Sequence, residues 1–310
     1  MNNFLVSIVI PVFNEEENII PLLRRLLPAV KNYGYEIIFI DDGSKDKTTN
    51  FIKKKAASNH NIKLISFSRN FGHQMALTAG YKTAKGACVI TMDADLQDPP
   101  EIIPQMIDKW QNGAKIVYAK RKARDVDNFF KKITARIFYK FINFLSDTPI
   151  PIDVGDYRLL DREVVEFLNR LPEKSRFLRG LVSWGGFSEE KVYFVREKRF
   201  AGVTHYPFSK MFNFALDGIT SFSVKPLRLS IYFGFFASGF SVLVIVVKSI
   251  QHFILNQGDW LPGWASLFFS IVFLGGVQLI TIGIIGEYVG KIYQEIQKRP
   301  QFLIKEKVNL

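Results

Sequence analysis

Cysteine is almost absent: Cys88 stands alone among 310 residues. A single thiol forms no internal disulfide and supplies no thiolate cluster for a metal; within "GACVITMD" it reads as packing in a strand of a domain kept in the reducing cytosol. Three familiar signatures are missing too. No G-x-G-x-x-G follows the first apolar run, and neither G-x-x-x-x-G-K-[ST] nor G-x-S-x-G occurs. A dehydrogenase, a P-loop enzyme and the usual hydrolase elbow are therefore not indicated. The N-terminal "FLVSIVIPVF" lacks a basic flank and is cut short by Pro11 and "NEEEN", so it reads as a strand rather than a signal peptide.

Acidic residues are also in deficit, 29 against 41 basic ones, for a formal charge of +12. Such a surface suits nucleic acid or anionic lipid headgroups. What decides between them is another absence: no residue from Leu229 to Val247, and none from Trp264 to Gly286, carries a charge. Both runs reach the roughly 20 residues that cross a bilayer, so two C-terminal transmembrane helices are expected, with membrane lipids rather than nucleic acid as the partner. Lys225 and Arg228 precede the first run, and Lys291, Lys298 and Arg299 follow the second. The connecting "SIQHFILNQGDWLPG" has no Lys or Arg, although Lys248 lies at its edge. Excess Lys and Arg mark the cytoplasmic side, so both termini are expected there, in a multi-pass protein of the inner (plasma) membrane.

The rest of the chain alternates short runs rich in Ile, Val and Phe (residues 4–10, 35–40, 62–67, 86–92 and 114–119) with helical segments such as "EEENIIPLLRRLLPAVKN" and "PPEIIPQMIDKWQNG". Alternation of this kind predicts an α/β fold, a mostly parallel sheet with helices on both faces, whose ligands bind beyond the carboxyl ends of the strands. Three polar clusters fall at those ends: "PVFNEEEN", "DDGSKDKT" and "DADLQD". In "TMDADLQDPPE", Asp93 and Asp95 in an extended segment would project to one side. A solvated acidic turn capping the helix after Pro99 and Pro100 would use the same residues, as would a divalent-cation site.

"SIVIPVFNEEENI", "EIIFIDDGSKDKT", "MDADLQDPPE" and "DVGDYRLLDR", in this order, resemble the GT-A glycosyltransferases of family 2 in the branch that makes polyprenyl-phosphate sugars. With "RFAGVTHYPFSKM", "GITSFSVKPLRLS" and "GEYVGKIYQE", the chain is most similar to the bactoprenol-phosphate glucosyltransferases, and dolichol-phosphate mannose synthases are more distant relatives. The resemblance implies a Rossmann-like GT-A domain and places Mg²⁺ or Mn²⁺ on Asp93, Asp95 and Gln97, against the diphosphate of a UDP-sugar. It implies nucleotide-sugar contacts from Pro11, Phe13, Glu15, Asp41, Asp42, Asp93, Ala94 and Asp95. Asp156 becomes the catalytic acidic residue, with Arg158 its neighbour, and Asp98 the cap before Pro99. Cations for the acceptor phosphate are sought in Lys120, Arg121, Lys131, Arg196 and Arg199, because arginine suits bidentate phosphate contact. Where many relatives have Ser-Lys-Tyr after "AG", this chain has Thr204, His205 and Tyr206.

The expected division is a cytoplasmic catalytic domain over 1–224, a two-helix transmembrane domain over 225–298 and a cytoplasmic tail over 299–310. "FFKKITARIFYKFINFL" and "FSKMFNFALDGITSF" read as amphipathic helices at the lipid interface, or as core-packing helices with the same period. Gly286 and Gly290 form a G-x-x-x-G that favours close packing, either between copies in a homo-oligomer or against the first span. The function implied is inverting transfer of one sugar, glucose by closeness to the bactoprenol branch, from a UDP-sugar to undecaprenyl phosphate. A processive polysaccharide synthase shares the fold, but its Q-x-x-R-W is missing. A non-catalytic nucleotide-sugar-binding membrane scaffold is the other alternative.

Overall fold

A computed structural model describes residues 2–121, 154–174, 176–195, 223–253 and 264–310. The five expected strands are present as β1 (Asn2–Val12), β2 (Tyr33–Asp41), β3 (Ile62–Phe67), β4 (Cys88–Thr91) and β5 (Ile116–Arg121). Alternate side chains along them enter different cores: Ile8, Ile10 and Phe39 pack on one face, and Val9, Ile38 and Ile40 on the other. A period of two with both faces apolar requires cover on both sides. The first face is covered by α1 (Ile19–Val30), which buries Ile19, Leu22, Leu23, Leu26 and Val30 at helical spacing. The helices α2 (Thr48–Ser58), α3 (His73–Thr83) and α4 (Ile103–Gln111) complete the alternation.

Three further strands were not legible in the sequence: β6 (Val154–Asp161), β7 (Glu189–Phe194) and β8 (Ile304–Val308), in a sheet ordered β7-β5-β6-β4-β1-β2-β3-β8. Parallel pairing of β1 with β2 and β4, and of β2 with β3, makes the expected core. β6 is inserted antiparallel between β4 and β5. Its start therefore lies at the carboxyl ends of its neighbours. Beyond it come α5 (Arg162–Arg170), capped by the Asp161 side chain accepting from Glu163 N, and α6 (Leu178–Trp184).

Two long helices follow, α7 (Lys225–Phe253) and α8 (Trp264–Ile296). Among the described residues, one stretch, Ser270–Ile296, is long and apolar enough to cross a membrane, and none of it is buried. Gly286 and Gly290 face open space, with no other atom within 4 Å of a Cβ built there. Residues 299–310, expected as a tail, instead carry β8, which pairs antiparallel with β3 and extends the sheet. Its apolar positions are too few, and its Lys-Glu-Lys run too charged, for a strand to be read from sequence; pairing with β3 is what makes it one. Both amphipathic segments around 129–145 and 208–222 lie outside the described residues.

Candidate active site

The loops after β1 and β2 are laced together. Asn14, at φ 55°, donates its N–H to Ser44 Oγ at 3.0 Å and accepts from Lys45 N at 2.8 Å, while Glu15 N donates to Thr48 Oγ1 at 2.8 Å. Glu15 also accepts from Asn18 Nδ2. Pro11 is buried in β1 opposite Ile40, whereas Phe13 projects outward. Asp41 is buried and accepts from Ser44 N at 2.8 Å, Thr49 Oγ1 at 2.8 Å and Ser66 Oγ at 2.6 Å. Asp42 accepts from Phe71 N at 2.7 Å and Gly72 N at 2.9 Å. Burial raises its pKa, more than these two N–H donors lower it. Both carboxylates thus hold the loops that follow β1, β2 and β3. A cleft of about 680 Å³ opens beside them, lined by Phe13, Asp41, Ser44 and Arg69 and, from β8, by Lys305 and Glu306.

After β4 the chain leaves the extended state, which corrects the sequence reading of Asp93 and Asp95. Ala94 and Asp95 occupy a turn, Leu96 has φ 61°, and Asp95 Oδ1 accepts from Gln97 N at 3.1 Å. A buried Ala94 anchors the turn. Asp98 is not the expected cap: Pro99 holds the cap position of the short 3₁₀ turn Pro100–Ile102 without a side-chain bond. Asp98 points inward instead, because Tyr157 and the turn enclose it. Its Oδ1 is buried without a hydrogen-bond partner, and burial together with Asp93 and Asp95 pushes its pKa up to about 7. A buried Asp98 oxygen with no hydrogen-bond partner, close to Asp93 and Asp95, fits a divalent cation. Among the described residues no three His, Cys, Asp or Glu side chains close around one point. Such an ion would draw its remaining ligands from substrate oxygens, the habit of Mg²⁺.

The start of β6 delivers Asp156 to the same crevice, its backbone oxygen accepting from Thr91 Oγ1 at the end of β4. Two residues absent from the sequence reading complete the cluster. His73, the first residue of α3, places Nε2 3.1 Å from Asp93 Oδ1 and Nδ1 3.8 Å from Asp156 Oδ2. Arg179, on α6, grips Asp156 with Nε at 3.2 Å and Nη2 at 2.9 Å. Arg158 Nη2 approaches the same carboxylate at 3.4 Å from below. Burial alone would raise the Asp156 pKa, but Arg179, then Arg158 and His73, hold it far below the usual carboxylate range. Burial likewise opposes charge on His73, yet Asp93 and then Asp156 raise its pKa. No motif marks either residue. His73 could have been suspected only from its place just after a third strand.

Lys120 and Arg121 end β5 on the same rim, with Arg121 Nη2 4.0 Å from Asp98 Oδ1. Lys131, Arg196 and Arg199 lie outside the described residues, as do Asp153 and His205.

Residues 7–168 match the model of Glycosyl transferase family 2. An uncharacterized glycosyltransferase of Synechocystis is 46% identical over 306 residues, 97% of this chain and 95% of that protein. A prophage-derived bactoprenol glucosyl transferase of Shigella flexneri is 46% identical over 303 residues, 97% of each chain. A crystal structure of a mycobacterial protein aligns with a TM-score of 0.50 at 20% identity, over 70% of this chain and 73% of that one, a likeness of fold alone.

Proposed function

The chain belongs to glycosyl transferase family 2, and from that premise we propose that it moves one sugar, glucose, from a UDP-sugar to a polyprenyl phosphate at the cytoplasmic face of the inner membrane. The observation that carries this reading is the continuous chain Asp93–His73–Asp156–Arg179 at the carboxyl ends of the sheet, joining a carboxylate-rich side to a cationic one. Full-length similarity to a bactoprenol glucosyl transferase supports the lipid acceptor and the sugar.

In this reading Phe13 and the loops held by Asp41 and Asp42 receive the nucleoside. Asp93, Asp95 and Gln97 would hold Mg²⁺ or Mn²⁺, which as a Lewis acid stabilises charge gathering on the leaving diphosphate. A phosphate oxygen of the lipid forms the new bond to the anomeric carbon as the bond to the donor's β-phosphate breaks, and the electron pair leaves with UDP. Attack from the opposite face inverts the centre and needs no covalent enzyme intermediate. A phosphate monoester with a second pKa of about 6 is mostly dianionic at neutral pH. Asp156, kept ionised and held by two arginines, is a weak base, and its part is to orient its neighbours.

Membrane attachment follows from α8, whose Leu279, Ile280 and Ile282 are all widely exposed. Tyr288 Oη of α8 donates to Ser223 O just before α7, at 2.7 Å, so the start of one helix meets the last third of the other. This supports a two-span hairpin with both ends on the catalytic side. The open surface at Gly286 and Gly290 supports association between copies.

The test is transfer of radiolabel from UDP-glucose, UDP-galactose and amino-sugar donors to undecaprenyl phosphate by the purified chain. Label should enter the lipid fraction, most from UDP-glucose; no lipid-borne label from any donor sinks the proposal.

A further inference from the structure

The family match covers residues 7–168, yet the cleft beside Asp41 is also lined by Lys305 and Glu306 of β8, which follows the long apolar helix α8. β8 is firmly seated. It pairs antiparallel with β3, and just past its end Asn309 Nδ2 donates to Ala56 O at 2.8 Å and to Ile62 O at 2.9 Å. The pairing is irregular at one point. Ile304 stands opposite Phe67 and Glu306 opposite Ser66, which are consecutive on β3, so Lys305 is an extra residue without a partner on that strand. A bulge of this kind re-aims a side chain, and bulges gather beside active sites.

The carboxylates that line the cleft are each engaged by donors of the protein itself. Asp41 accepts from Ser44 N, Thr49 Oγ1 and Ser66 Oγ, Asp46 accepts from Glu16 N and Thr48 N, and Glu306 pairs with Lys53 Nζ at 2.6 Å. The Lys305 ammonium has no such counterpart among the described residues. An ammonium carries three donors and no acceptor, so what it takes is an oxygen acceptor. Phe13, 43% exposed, offers a flat apolar face in the same cleft. An aromatic face with cationic donors beside it suits the base and sugar of a nucleotide.

Position decides which end of a nucleotide Lys305 can meet. In the sheet order β4-β1-β2-β3-β8, four strand spacings separate β8 from β4, roughly 19 Å at about 4.8 Å each. Asp93 and Asp95, which follow β4, take the diphosphate in the functional reading above, so the lysine faces the other end. We propose that Lys305 binds the donor nucleotide at its nucleoside end, donating to a base or ribose oxygen, and that the strand beyond α8 is thereby part of the donor site. The assignment rests on that functional reading.

Titration calorimetry of the purified full chain with UMP and with UDP, at fixed Mg²⁺, tests this. Lys305→Gln should weaken both ligands by the same factor, about 3- to 10-fold, the usual effect of losing one hydrogen bond in a wetted site. Lys305→Arg keeps the charge and should hold UDP affinity within about twofold. Lys307→Gln removes the same charge further along β8, at a residue outside the cleft lining, and should leave both affinities unchanged. Lys305 is exposed, so its variants should melt like the wild type. Weaker UDP binding with unaltered UMP binding would move Lys305 to the diphosphate. Equal losses in Lys305→Gln and Lys307→Gln would mean a general field rather than a contact. Unaltered affinity for both ligands would leave Lys305 as a charge that keeps an edge strand from pairing with other chains. Each of these three results overturns the assignment. A wild-type chain that binds neither UMP nor UDP defeats the functional reading, and the assignment with it.

Discussion

Phe302, just beyond the long C-terminal helix, stacks on Phe67 at the end of β3, ring centroids 4.9 Å apart and planes 17° from parallel. Together with Ser68 N donating to Leu303 O at 3.0 Å and the Lys53–Glu306 pair at 2.6 Å, this seats β8 against the sheet. Strand and helix are thereby joined across the rim of the cleft beside Asp41. Phe302→Ala should lower stability by about 1–3 kcal/mol, less than for a fully buried phenylalanine because the ring is half-buried. Thermal melts in detergent would check this, and an unchanged midpoint would mean that β8 is held by its backbone alone.

Asp95→Asn should cut turnover by roughly two or more orders of magnitude in a protein that still melts like the wild type, since a metal's charge stabilisation amounts to several kcal/mol. EDTA should abolish transfer, and Mg²⁺ or Mn²⁺ should restore it. Full activity in chelator would falsify the metal assignment.

The sequence disclosed the parallel core because Ile-, Val- and Phe-rich strands carry their own period. It disclosed β4 for the same reason, but not the turn at Ala94 and Asp95 beyond it, where an extended segment was expected. β6 was hidden because "DVGDYRLLD" mixes charges that are buried only by pairing: Arg158 is fully enclosed and Asp156 nearly so. His73 and Arg179 were hidden for a related reason. Each matters through partners 20 or more residues away, and spacing along the chain says nothing of such contacts. Asp98 misled because Asp before Pro-Pro is a good cap locally, whereas the packing of Tyr157, whose Oη donates to Pro99 O at 2.8 Å, takes that turn inward.

Glu36 gives a stability prediction with a definite sign. It accepts from Ser7 Oγ at 2.5 Å, Lys63 Nζ at 2.6 Å and Lys85 N at 2.7 Å. Burial opposes its charge, but Lys63, Ser7 and Lys85 outweigh it and leave the pKa below the ordinary 4.5. The group therefore stabilises the fold fully above about pH 5 and loses that contribution as pH falls through the lowered folded value. Glu36→Gln should cost about 2–4 kcal/mol at pH 7. Its stability should also fall less steeply than the wild type's below about pH 5. Parallel acid profiles would show that Glu36 is not the group titrating.

Orientation can be read with added cysteines, because Cys88 is fully buried and burial raises its thiol pKa, which keeps it unreactive. A cysteine at Asn256 should react with an impermeant maleimide on intact spheroplasts, whereas one at Leu310 should react only after lysis. The reverse pattern would place the catalytic sheet outside, away from cytosolic nucleotide-sugar.

Asp156 offers the sharpest choice between two roles. As a general base it would take a proton from the acceptor, and Asp156→Asn would recover rate at higher pH, where the phosphate needs no help. The Arg179 and Arg158 contacts keep its pKa far too low for that task, and the phosphate is dianionic above about pH 7 in any case. Positioning therefore predicts a large loss, at least about 100-fold, that stays flat from about pH 7 to 9, because misplacing the reacting groups costs the same at every pH. The measurement is a pH–rate profile of Asp156→Asn at saturating donor and lipid with metal held fixed. A mutant rate climbing roughly tenfold per pH unit, against a flat wild type, would restore the base. Near wild-type turnover at all pH values would remove Asp156 from the reaction and leave the two arginines paired with a purely structural carboxylate.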